Sequence, residues 1–126
     1  LTDAATTLTE AAHAGRIIVL PDYQTTRIVT LPTPSAGMEF RFIYGGVNIT
    51  QANFVLNSSA TTVHFHGGVT HVDSNADSVS VSADGTDDDV FTAVTFTGID
   101  ITVIGNSATE WYVAGHVAGA TAPTFA

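Results

Sequence analysis

Cysteine and lysine are both absent from this chain. Without cysteine there is no disulfide framework, no thiolate nucleophile and no cysteine metal site. Without lysine, and with three Arg against 12 Asp and Glu, the net charge is −9. Affinity for phosphate backbones and anionic lipid surfaces comes mostly from Lys and Arg, so neither nucleic acid nor a membrane is expected as a partner. A partner with basic patches would be steered in instead. No apolar run reaches the ~18 residues of a membrane-spanning helix. The stretch Leu1–Glu10 is polar and carries no signal-peptide pattern. Of the helix formers Leu, Glu, Gln, Arg and Met are sparse and Lys is absent, whereas β-branched Thr and Val are abundant. Stiff β-branched side chains pack well on a pleated surface, so the composition points to an all-β chain. A length of 126 residues fits one domain. A domain of that size buries roughly two thirds of its unfolded surface.

Only Thr6–His13 (TTLTEAAH) reads as helical, with Thr9 placed to cap one or two turns before Gly15. Short strands then alternate with turn signals at intervals of roughly 8–12 residues, the mark of a sandwich or barrel. The strands expected are Arg16–Leu20, Arg27–Leu31, Met38–Tyr44, Asn53–Asn57, Thr62–Val69, Ser78–Ser82, Phe91–Gly98, Asp100–Ile104 and Glu110–Gly115. In Met38–Tyr44, Met38, Phe40 and Phe42 fall on one face and Glu39 and Arg41 on the other. That period of two describes a half-buried strand. Gly105–Thr109 (GNSAT) forms the tip of a terminal hairpin, and Trp111 anchors the sandwich beside Ile101 and Val103. The tail ATAPTFA is small and flexible in character. No period repeats, which excludes a solenoid or propeller. The expected fold is an all-β, antiparallel two-sheet sandwich, jelly-roll-like, with a short N-terminal arm or helical turn. The arm covers residues 1–15 and the sandwich domain residues 16–126.

The missing lysines bear on assembly as well. Exposed strand edges invite pairing with other chains, and lysine is a common protection against it. Here the charges sit mostly in loops, and several strands carry only Thr, Ser and Val on their polar side. Self-association is the expectation that follows. The competing reading is that proline, Asp and short strands protect the edges well enough.

The strongest chemical signal is HFHGGVTH, His64–His71. In a strand, His64 and His66 point to one face, about 7 Å apart, with Phe65 opposite. Such a pair is a candidate metal site, and no other cofactor is expected. Three readings compete. A cupin-like enzyme would add a glutamate and a distant histidine to the pair, but the glutamate is missing at that spacing and His116 would have to serve. A trimer would bring HxH pairs from three chains around one axial metal. The third reading is two histidines on a polar or subunit-facing sheet surface, holding nothing. DGTDDD, Asp84–Asp89, holds four carboxylates, a chemistry suited to calcium, though the order of an EF-hand loop is absent. A solvated acidic loop is the simpler reading. No serine lies in a nucleophile elbow, and no Gly-rich phosphate loop opens a helix. Glu39 and Glu110 sit beside apolar strand residues and do not form an obvious catalytic pair. No enzymatic activity is expected. The phenylalanines fall at alternating strand positions and read as core.

Three stretches, in order, carry a resemblance: TLTEAAHAGRIIVLPD (Thr7–Asp22), TRIVTLPTPSAGMEFRFIYGG (Thr26–Gly46) and GIDITVIGNSATEWYVAG (Gly98–Gly115). Together they resemble small structural proteins of tailed bacteriophages, namely capsid decoration (cement) proteins and related head-fibre or tail-fibre domains. The resemblance covers both ends of the chain. It implies a homotrimeric sandwich on the outer surface of a virion, made in the host cytoplasm and clamping neighbouring copies of the major capsid protein. A tail-fibre or spike domain touching the host surface is the close alternative. The N-terminal segment is then the candidate arm. Leu1, Thr2 and Leu8, with Asp87, Asp88 and Asp89 of the acidic loop, are the candidate contacts to the shell or to another subunit.

Overall fold

A computed structural model describes residues 1–46, 52–73, 75 and 77–126. Its one helix, α1 (Glu10–His13), begins where the sequence places a cap: Thr9 is extended and its hydroxyl accepts the Ala12 N–H. Everything else that is regular among the described residues is strand. The order is β1 (Thr6–Thr7), β2 (Arg16–Val19), β3 (Arg27–Thr30), β4 (Glu39–Tyr44), β5 (Asn53–Asn57), β6 (His64–Val72), β7 (Ser78–Asp84), β8 (Val90–Val94), β9 (Phe96–Gly105), β10 (Glu110–Gly119) and β11 (Thr124–Phe125). They form two sheets packed as a sandwich, one ordered β1-β3-β5-β8-β11 and the other β2-β4-β9-β10-β6-β7.

The all-β two-sheet expectation holds, but the sheets are mixed rather than antiparallel throughout. The pairs β1·β3, β3·β5, β2·β4 and β6·β10 are parallel. The reason is topological. From β1 to β6 the chain crosses from one sheet to the other at each step, so the neighbours β1·β3, β2·β4 and β3·β5 are two strands apart in sequence and run the same way, while β6·β10 joins strands four apart. Among the described residues, only β6–β7 and β9–β10 are hairpins between consecutive strands.

Other boundaries also differ from the expectation. Residues 91–98 do not make one strand. Phe91 and Ala93 face inward, then Val94 and Thr95 break the alternation before Phe96 turns in again. Thr95 takes a positive φ of 42°, and there the chain passes from one sheet to the other. The tail is also ordered: β11 pairs with β8, and the Phe125 ring lies 5.1 Å from that of Phe91. Apolar burial decides this, since a phenylalanine removed from water contributes about 1.5–3 kcal/mol.

The core fills the space between the sheets. Phe40, Phe42, Phe65, Phe96 and Trp111 project from one sheet and Phe54 and Phe91 from the other, all below 2% exposed. Phe42 meets Phe54 across the gap at 5.6 Å. At one end Tyr44 packs edge-on against Phe96 and donates its hydroxyl to Asp22 at 2.6 Å. Burial, then the Asp22 hydrogen bond and charge, push the Tyr44 phenol up to about 12, and burial followed by the Asp3 charge pushes Tyr23 up to about 12. Both exceed the ordinary phenol value near 10. The stability that these neutral phenols contribute is complete below pH ~10 and is lost as pH rises toward about 12. Thermal scans across that range are expected to show a falling midpoint that Tyr44→Phe flattens. An unchanged profile in the variant would contradict the assignment.

Candidate functional site

The histidine pair lies on the outer face of the six-stranded sheet. Phe65 points into the core at 0% exposure, while His64 and His66 lie half-buried on the other face, as alternation requires. The parallel neighbour β10 sets Glu110 beside His64 and Tyr112 beside His66, and β7 sets Asp84 on the far side of His66. His66 Nε2 stands 3.5 Å from Glu110 Oε1. Its ring lies over Gly85, where an added Cβ would come within 2.0 Å of it. Glu110 also accepts from the Asn106 amide at 2.9 Å, which ties the carboxylate to the β9–β10 loop. The Nδ1 atom of His64 is buried with no hydrogen-bond partner among the described residues.

Distance separates the other candidates from this patch. His116 shares the outer face but pairs with Thr70, four residues along β6 from His66, so it lies about 13 Å away by strand rise. It therefore does not join His64 and His66 as the cupin-like reading requires. His71 is a core residue at 5% exposure, its Nε2 donating to the Gly119 carbonyl at 2.9 Å. Among the described residues, no three His, Asp or Glu side chains gather to hold a metal ion.

The acidic loop is a turn built from its own carboxylates. Asp84 accepts the Thr86 N–H, and Asp88 accepts the Asp84 N–H at 2.7 Å. The Asp88 and Asp89 carbonyls accept from Phe65 and Ser58 and stitch the turn to both sheets. Asp87 is exposed at the tip with a φ of 61°, while Asp88 and Asp89 are half-buried.

The N-terminal segment lies along its own sandwich. Its β1 pairs with β3, Asp3 bonds Arg27 at 2.8 Å, and the Leu1 ammonium donates to the Val19 carbonyl. Leu8 is 1% exposed, so its side chain belongs to the core and reaches no partner unless that packing is undone. Thr2 is exposed and Leu1 half-buried.

Sequence alternation misses two surface features. Ile17 and Val19 of edge strand β2 are each 58% exposed, hidden from sequence by the unbroken apolar run IIVL, which shows no faces. Arg41 and Asp100 form a two-pronged pair at 2.9 and 2.7 Å, linking β4 to β9 on the outer face. The Arg41 guanidinium holds the Asp100 carboxyl below its usual range, so what the pair contributes is present at neutral pH and fades on acidification. Searches against family models, curated proteins and solved structures return no match for this chain.

Proposed function

We propose that this chain is a structural subunit: a self-associating sandwich that binds the outer surface of a viral head as a decoration protein, in the homotrimer that its resemblance to phage cement proteins implies. The observation that carries the reading is the state of the sheet edges. The edge strand β2 exposes Ile17 and Val19. At the opposite edge, β7 exposes Val79, again with no lysine to deter pairing. The edges of a lone β-domain are normally blunted by charge, proline or cover, and a subunit covered by its neighbours has no such need.

Such a protein acts by mass action. Each contact that exists only on the assembled shell lowers the free energy of that shell. Linked copies raise one another's effective concentration, so weak contacts hold firmly together. The charge of −9 draws the protein toward basic patches on the major capsid protein. The exposed Asp87 tip is the part of the acidic turn free to meet them. The test is the heat stability of bare heads with and without the added protein.

A further inference from the structure

The strand β7 is an edge of the six-stranded sheet, with β6 as its neighbour. Asp73 N–H donates to Asp77 O at the mouth of the β6–β7 hairpin. Bonded and non-bonded pairs alternate along an antiparallel ladder, so His71↔Val79 and Val69↔Val81 are also bonded pairs. The N–H and C=O groups of Ser78, Ser80 and Ser82 are therefore directed away from β6. The next such residue, Asp84, has its N–H taken by the Asp88 carboxylate, which closes the free edge at that end. Between Asp77 and Asp84 the strand SVSVSA is uncharged, in a chain with a net charge of −9. Val79 lies on the same side of the strand as buried Ala83, yet it is 57% exposed, because the second sheet does not reach over it.

From these features we infer that two copies pair antiparallel through β7 about a twofold axis at Ser80. In that register Ser80 faces the second copy's Ser80, and Ser78 faces its Ser82. Each of these pairs joins two outward-directed residues, so the contact closes about six hydrogen bonds. Val79 lies opposite the second copy's Val81, which covers the uncovered apolar side chain at both ends. The register is self-complementary, and Asp77 and Asp84 at its ends act as charged stops against slippage. The inference rests on the proposal that the chain self-associates and adds the surface on which it does so. A twofold contact doubles any particle the chain otherwise forms, turning monomers into dimers and trimers into hexamers.

The test is native mass spectrometry and sedimentation of the full chain across concentration and salt, for wild type, Ser80→Pro and Ser80→Lys. Ser80 N–H points away from the ladder, so proline removes it without breaking the β6 bonds. Far-UV circular dichroism checks that both variants fold, and the lysine variant serves if proline perturbs the strand. The expected result is an even-numbered particle that both variants halve, with association weakened at least ~10-fold. Added salt should strengthen wild-type association, because it screens the repulsion between acidic copies and leaves an uncharged contact intact. A trimer unchanged by either variant would overturn the β7 pairing and leave the trimer standing. A dimer that falls to monomer would support the pairing and overturn the trimer. A wild-type monomer at every concentration up to the millimolar range would overturn both.

Discussion

Trp111→Ala is expected to cost about 3–5 kcal/mol of folding stability, a large part of what a domain of this size has. The side chain is 0% exposed on β10, with β9 on one side and β6 on the other. It packs edge-on against Phe40 at 5.8 Å. Its indole N–H donates to the Ser58 carbonyl at 3.1 Å, just beyond the end of β5 in the opposite sheet. The residue thus ties the two layers by packing and by a buried hydrogen bond. Trp111→Phe keeps much of the ring contact but removes the donor, and a cost of about 1–3 kcal/mol is expected. Urea unfolding followed by circular dichroism measures both. A loss below about 1 kcal/mol for the alanine variant would contradict the placement of Trp111 as the tie between the sheets.

Gly115→Ala is expected to be nearly as damaging, although it adds a single methyl group. Gly115 lies within β10 opposite Ile101 of β9, and its φ is 136°. A Cβ there would fall 2.1 Å from the Asp100 carbonyl oxygen and 2.7 Å from the Ile101 Cα. Both are backbone atoms of the central sheet and cannot swing aside. Backbone strain of about 1–3 kcal/mol adds to an overpacking cost of about 1–3 kcal/mol. Gly45→Ala is the matched control, since a Cβ at Gly45 meets nothing within 4 Å. It should change stability by less than about 0.5 kcal/mol. Equal effects at the two glycines would show that the β9–β10 packing is loose enough to admit a methyl group.

Alternation made much of this fold legible. Phe40, Phe42, Phe65 and Trp111 all lie where a period of two places them, facing inward. The Thr9 cap and the hairpin tip before Glu110 also follow from local residue chemistry. Strand partners do not, because a hairpin signal sees only neighbours in sequence, and here most neighbours in sequence lie in opposite sheets. The Thr95 corner is visible afterwards as one slipped step between Ala93 and Phe96. Of the candidate site, the shared face of His64 and His66 was legible. The approach of Glu110 to His66 was not, since it depends on the parallel β6·β10 register, made by strands distant in sequence. The fate of Leu8 was equally hidden. A lone leucine in a polar lead-in looks free until β3 gives it a place to dock.

The central claim is that the chain works as a stabilising subunit on a shell. Calorimetry of bare heads, scanned alone and with excess protein, tests it most directly. The account predicts that the shell transition moves upward with added protein, saturates at a fixed ratio of protein to capsid subunit, and weakens as salt screens the acidic surface. A shell transition that stays in place at saturating protein would contradict it.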